Sequence, residues 1–104
     1  MLADRTARAD LPTLEAISRS TNPYLRLSAM TGIRRIKDPV SVPFLVDQLD
    51  STDMDVAYQA LITLAEMNHR GGEYGPSMPV FREDPERYKN VWKRWAVEQR
   101  AVSR

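Results

Sequence analysis

The sequence contains no cysteine, which excludes several kinds of site at once. Disulfides, thiolate nucleophiles and cysteine-bound metals all need that residue. The lack of disulfides favours a reducing compartment, so we expect a cytoplasmic protein unless this is a fragment of a longer secreted chain. Histidine occurs once, as His69. With no partner ligands nearby and with Gly71 and Gly72 beside it, His69 is interpreted as a loop residue.

An excess of charge of one sign is also missing. Lysine and arginine number 15 against 14 aspartates and glutamates, and the net charge is +1. No chain-wide field therefore attracts nucleic acid or an anionic membrane. No apolar run approaches the roughly 20 residues that span a bilayer, and residues 1–5 do not begin the apolar core of a signal peptide. We expect no membrane partner.

The chain lacks a recognisable motif for catalysis, a cofactor or a metal. Asp53 and Asp55 stand at a predicted helix start, where carboxylates favour the helix dipole, and Asp50 is the only further ligand candidate nearby. Residues 71–75 are glycine-rich but lack the lysine and the preceding strand of a phosphate-binding loop. The sequence therefore predicts a protein that is not an enzyme and has no cofactor.

What the sequence does contain is an internal repeat with an offset of 31 residues. The identical pairs are Pro12/Pro43, Leu14/Leu45, Ser20/Ser51, Thr21/Thr52 and Ala29/Ala60. Self-similarity at a period of roughly 20–50 residues is typical of repeat architectures. The length of 104 residues leaves room for one small domain.

The repeated segments read as amphipathic helices that begin at capped turns. One helix is expected from Asp10, with Pro12 in its first turn. A second, from Pro23 to Ile36, is capped by Asn22 and carries the apolar stripe Leu25, Ala29, Ile33 and Ile36. Asp38 caps the next helix, which buries Val42, Leu45, Val46 and Leu49. A fourth helix spans 54–67. No run alternates like a strand, so the predicted fold class is all-α.

After Asn68 the period is expected to fail. Residues 68–83 contain three of the four glycines and two prolines, and they are interpreted as a long loop. Asp84-Pro85 then starts a helix whose apolar side holds Tyr88, Val91, Trp92, Trp95 and Val102. The prediction is one domain over 1–104, with repeat helices in 10–36 and 38–67, a loop at 68–83 and an amphipathic capping helix at 84–102.

The order of residues in 25–45 resembles a known repeat. Leu25-Arg26, Ala29, Ile33, Asp38-Pro39 and Val42-Pro43-Phe44-Leu45 fill the places of an aliphatic–arginine pair, small residues, an Asp-Pro turn and a second helix opening with aliphatic-Pro-x-Leu. This resembles a HEAT-like repeat of the short, bilin-lyase type, and the match covers residues 11–67. Ala57 stands where the second copy should carry arginine. The resemblance implies a short α-solenoid of antiparallel helix pairs that binds or scaffolds another protein.

The resemblance also suggests where such a partner would bind. In solenoids of this kind the second helix of each pair lines the concave surface, which here places Phe44, Asp47 and Gln48 there, with Glu15 as a neighbour from the preceding repeat. Phe44 is the strongest candidate because it is large, apolar and off the predicted buried stripe. The alternative for each residue is simple solvent exposure.

Two features of the last helix leave other functions open. Lys89, Lys93, Arg100 and Arg104 share one predicted face, which is either a phosphate-binding stripe or a solvated surface. Tyr88, Trp92 and Trp95 are either a partner anchor or, as we favour, the cover of the last hydrophobic edge. A further alternative, from the resemblance alone, is an accessory subunit of a lyase. Because about three repeats are usually needed, we expect the isolated chain to be marginally stable or to self-associate at its N-terminal edge.

Overall fold

The computed structural model describes the backbone of residues 2–102 and the side chains of residues 9–70, 72 and 74–99. Over this range the chain forms helices and turns and no strand. The helices are α1 (Leu2–Ile17), α2 (Pro23–Ile36), α3 (Val42–Gln48), α4 (Met54–Met67), α5 (Gly71–Tyr74), α6 (Met78–Glu83) and α7 (Pro85–Val102), with a 3₁₀ turn at Pro39–Ser41 before α3. The predicted all-α class is confirmed.

Three long helices begin at side-chain caps spaced 31 residues apart. Asn22 Oδ1 accepts the backbone N–H of Tyr24 at 2.9 Å, at the start of α2. Asp53 Oδ1 accepts that of Asp55 at 3.0 Å, at the start of α4. Asp84 Oδ1 accepts that of Arg87 at 3.3 Å, in the first turn of α7. The expectation that the period fails after Asn68 is therefore wrong for the helix starts, because the third cap keeps the interval.

The helices pack in two layers. In the first layer α2 lies against α4. In the second layer α1 packs on α2, and α3 packs on α4. The last helix, α7, packs on α4 and also contacts α3. The two helices α1 and α2 approach closely at Gly32, since a Cβ there would lie 3.2 Å from a methyl group of Leu14 on α1. A side chain at this position would require Leu14 to shift by a few tenths of an ångström.

The core is centred on α4. Eight consecutive or near-consecutive side chains of α4 are buried: Val56, Ala57, Ala60, Leu61, Ile62, Thr63, Leu64 and Ala65. A helix that is apolar on nearly every side is expected where neighbours surround it. In α2 the buried side chains are Ala29, Met30 and Ile33, whereas Leu25 is 49% exposed. The predicted stripe is therefore wrong at Leu25, which lies in the first turn of α2, while Met30 is buried with Ala29 and Ile33.

Two predicted helix starts differ from the structure. α1 begins at Leu2, so Asp10 is not its cap, and Pro12 lies inside the helix. Proline there removes one backbone donor and its ring crowds the preceding turn, which usually kinks a helix. Asp38 does act as a cap, since its Oδ1 accepts the N–H of Val40 at 2.9 Å. The segment after it, however, is divided into the 3₁₀ turn and α3.

The predicted loop at 68–83 is also wrong, because it contains α5 and α6. Phe81 of α6 is fully buried, and its ring centroid lies 5.5 Å from that of Tyr58 on α4. The Tyr58 hydroxyl donates to the carbonyl of Pro76 at 2.8 Å. Pro79 stands in the first turn of α6, where the missing N–H has no partner to lose. These contacts fix the segment to the core.

Candidate functional site

Two arginines of α2 hold α4 in position. The Arg26 guanidinium donates twice to Asp53 Oδ2, at 3.0 and 2.8 Å. About two turns further along α2, Arg34 donates to both carboxylate oxygens of Glu66, at 2.8 and 2.9 Å, and to Gln59 Oε1 at 3.2 Å. Paired donors of this kind fix direction as well as distance. The two contacts set the register between the helices of the first layer.

These contacts lower the pKa of both carboxylates. For Asp53, burial opposes ionisation, but the hydrogen bonds from Arg26 and from two backbone N–H groups outweigh it and bring the pKa below its ordinary value. For Glu66, the hydrogen bond from Arg34 is the main cause of a lowered pKa, and burial opposes it. The same hydrogen bond raises the pKa of Arg34. All three groups are therefore charged at neutral pH and serve the architecture.

Phe44, the strongest predicted contact residue, is buried and only 7% exposed. The Arg19 guanidinium lies 5.2 Å from the centroid of its ring. The prediction that Phe44 lies on the binding surface is wrong, because the chain following α1 covers the side of α3 that periodicity alone left open. Phe44 instead belongs to the hydrophobic core.

Asp47 and its neighbours border a groove between α3 and α7. The groove has a volume of about 320 Å³ and is lined by Pro43, Val46, Asp47, Asp50, Lys93, Ala96 and Val97. Asp47 is exposed, whereas Gln48 is half-buried and does not line the groove. Glu15 is half-buried on α1 and is not part of the lining either. Of the four predicted residues, the structure places only Asp47 in this groove.

The predicted basic stripe on α7 is not a solvated row of cations. Lys89 is 8% exposed, with its Nζ 3.7 Å from a carboxylate oxygen of Glu86. The Lys93 Nζ forms an ion pair with Asp50, two residues after α3. The prediction is therefore wrong for Lys89, which is packed, whereas Lys93 is partly exposed and is paired with an acidic residue. The side chain of Arg100 and residue Arg104 lie outside the described part of the chain.

The two tryptophans have different surroundings. Trp92 is 1% exposed, and its Nε1–H donates to the carbonyl of Tyr74 at 3.3 Å. Trp95 is half-buried, and its ring meets that of Trp92 edge-on at 5.6 Å. Tyr88 is half-buried, with the Arg87 guanidinium 5.4 Å from its ring centroid. Trp92 thus closes the core as the covering interpretation expects, while Trp95 reaches the surface.

Trp95 reaches the surface in a second groove, between α5 and α7. This groove has a volume of about 260 Å³ and is lined by Arg70, Tyr74, Val91, Trp92, Arg94, Trp95 and Glu98. This groove does not follow from the sequence prediction, because a loop at 68–83 would provide no wall opposite α7. A signal was present: Met78-Pro79-Val80-Phe81 has the same aliphatic-Pro-x-apolar order as Val42-Pro43-Phe44-Leu45, which indicates a helix start.

The remaining expectations from the sequence concern the acidic residues, His69 and membrane-spanning segments. Among the described side chains, no three histidines, aspartates or glutamates cluster in a way that could hold a metal ion. His69 is exposed, with a φ of 57° in the turn after α4, where a loop residue is expected. Between residues 2 and 102, no helix has both the length and the apolar character that crossing a bilayer requires.

Comparison with known protein families gives a match. A family model for HEAT repeats matches residues 11–77, which is more than half of the chain and extends into the region after Met67. No curated protein and no solved structure shows a significant match. HEAT repeats generally mediate protein–protein interaction or scaffolding, and their family is typically non-catalytic. The match also supports the predicted solenoid.

Proposed function

Because this chain belongs to the HEAT-repeat family, we propose that it is a non-catalytic interaction module that binds a partner protein through the face formed by α1, α3 and α7. HEAT repeats typically bind other proteins, and stacked helix pairs present extended surfaces for that purpose. The groove between α3 and α7 carries the proposal. It is the place where a predicted contact residue, Asp47, lies beside accessible apolar side chains.

The composition of this groove suits a protein partner. Val46 and Val97 supply apolar surface, and Val97 is 62% exposed. Asp47 and Asp50 supply charge at its border, and Lys93 neutralises part of it. An apolar centre with a polar border is the usual anatomy of a protein interface. Asp47 and Val97 are therefore the proposed central contacts, with Gln48 and Glu15 as proposed neighbours on the same layer.

Site-specific crosslinking tests the proposal. Benzoylphenylalanine at position 47 or 97 should crosslink to a partner in extract of the source cell, whereas the same probe at the exposed position 35, on α2 in the other layer, should not. The partner identified in this way is then titrated with purified variants. We expect Asp47→Lys and Val97→Glu each to weaken binding by about tenfold, or about 1.4 kcal/mol, and Arg35→Glu to leave it unchanged.

Two results would contradict the proposal. One is crosslinking from position 35 that is as efficient as crosslinking from positions 47 and 97. The other is a partner whose affinity is unchanged in both groove variants while circular dichroism shows that they are folded. Either would place the contact surface on another face.

A further inference from the structure

We propose that the groove between α5 and α7 binds an acidic peptide segment of a partner protein, with an apolar side chain of that segment against Trp95. This site is separate from the one proposed above. On α7, Val91, Arg94, Trp95 and Glu98 follow the i, i+3, i+4, i+7 spacing of one helix face. Lys93, Ala96 and Val97, which line the other groove, lie on the opposite face. The two grooves can therefore be occupied together.

The lining has the composition of an interface hot spot. Trp, Tyr and Arg are the residues most enriched among contacts that dominate binding energy, and this groove contains Trp95, Tyr74, Arg70 and Arg94. Trp95 and Tyr74 are half-buried, so part of each ring is open to a ligand. Such rings offer large contact area with little side-chain entropy to lose.

The base of the groove is held by contacts among its own side chains. Trp92 is held by its hydrogen bond to the Tyr74 carbonyl, and its ring meets those of Tyr74 and Trp95 edge-on at 6.3 and 5.6 Å. The Arg70 guanidinium lies 5.8 Å from the centroid of the Tyr74 ring, which restricts that side chain as well. A site whose shape exists before binding loses less free energy in ordering on binding.

Charge selects the occupant. Arg70 precedes α5 and Arg94 lies on α7, so each wall of the groove carries one guanidinium. Both are exposed, and among the described side chains of the lining Glu98 is the acidic one. A guanidinium binds a carboxylate through two parallel hydrogen bonds. Acidic residues on both sides of an apolar anchor would therefore match the two walls. Single-stranded nucleic acid needs cations that follow a backbone for several nucleotides, and two arginines across a groove do not provide that track.

Intrinsic fluorescence provides a direct test, because both tryptophans of the chain belong to this groove. The probe is a blocked peptide with the sequence Glu-Asp-Leu-Phe-Asp-Glu, titrated into the full chain at low salt. We expect a saturable change in tryptophan emission with a Kd between about 10 µM and about 1 mM. An analogue with lysine at all four acidic positions and another with Gly-Ser in place of Leu-Phe should each bind at least about tenfold more weakly.

Substitutions then locate the site. Arg70→Glu and Arg94→Glu should each weaken the acidic peptide by about tenfold, and the double variant should abolish its binding. Arg35→Glu, which makes the same change in net charge on α2, should leave binding unchanged. Asp47→Lys should also leave it unchanged, so failure of this proposal is distinguishable from failure of the groove between α3 and α7.

Four outcomes would overturn the proposal. In the first, the lysine analogue binds as tightly as the acidic peptide, and in the second, neither Arg70→Glu nor Arg94→Glu changes the affinity for that peptide. In the third, decauridine binds more tightly than the peptide. In the fourth, sedimentation shows that the fluorescence change comes from dimerisation of the chain. The third would indicate a nucleic-acid site, and the fourth would indicate that a second copy occupies the groove.

Discussion

The carboxylate of Asp53 has two structural roles at the contact between α2 and α4. Its Oδ1 caps α4 by accepting the N–H groups of Asp55 and Val56, and its Oδ2 accepts both hydrogen bonds from Arg26. The start of α4 is therefore tied directly to α2. Arg26 also donates to the carbonyl of Ser20, in the turn before α2. A lysine could not make these contacts together, because its donors radiate from one nitrogen atom.

Glu66 carries a pH dependence that can be measured. Its pKa in the folded state is below the ordinary value of 4.5, mainly because Arg34 donates to it. A lowered pKa contributes stability that is complete above the unfolded value and is lost as the pH falls through the folded one. We therefore expect the free energy of unfolding, measured with urea, to decline as the pH is lowered below about 5. In Glu66→Gln the decline should be smaller.

Glu98→Gln is the matched control for this prediction. Glu98 is exposed on α7, and the substitution removes the same charge far from Arg34. It should leave the acid decline as in the parent chain. A decline in Glu66→Gln as steep as in the parent would show that the contact with Arg34 does not contribute to acid sensitivity.

At the scale of the element, the parts of the fold that could be predicted from the sequence are those that depend only on residues close together in the chain. Asn22, Asp53 and Asp84 could be predicted as caps, because a short side chain with a hydrogen-bond acceptor just before a helix is enough to cap it. The environment of Phe44 could not be predicted, because it depends on Arg19 arriving from another part of the chain. The helix α6 could not be predicted, because the glycines and prolines of 68–83 are typical of a loop. Pro79, however, lies in the first turn of α6. Asp47 could be placed on a surface, but the groove beside it required the position of α7.

The contrast within α6 leads to a prediction. Phe81 is fully buried and contacts Tyr58, while its neighbour Val80 is 42% exposed. Phe81→Ala should lower the free energy of unfolding by about 3–5 kcal/mol, because it empties a core position. Val80→Ala, in the same helix, should lower it by less than about 1 kcal/mol. If a denaturant titration showed equally small changes in the free energy of unfolding for both substitutions, residues 78–83 would not be part of the core.

At the scale of the whole molecule, the repeat architecture concentrates its core around one helix. The side chains of α4 are buried on nearly all sides, whereas α2 and α7 each keep an open side. Stability in such proteins is approximately the sum of the repeats and of the interfaces between neighbours. With few interfaces, the loss of any one of them removes a large fraction of the total. The open sides are consequently the places where further contacts add most.

The open side of α2 is the basis of the last prediction, self-association at the N-terminal edge. Tyr24 is 84% exposed, and Leu25 and Leu27 are also open to solvent in the first turns of α2. Exposed apolar side chains that lie close together in the sequence can favour association. We expect sedimentation velocity to show a concentration-dependent oligomer, and Leu25→Glu to return it to the monomer. The matched control is Thr31→Glu, a substitution at an exposed position one to two turns further along α2. It should leave the oligomer unchanged.

The alternative to self-association is a monomer of low stability, and the two are linked because association stabilises the folded state by mass action. For a self-associating chain, Tm should rise with protein concentration, and in Leu25→Glu this dependence should disappear. A parent chain that stays monomeric with a Tm above ~80 °C would contradict both forms of the prediction. In that case the contacts of α5, α6 and α7 with α4 must themselves supply what a further repeat would otherwise provide.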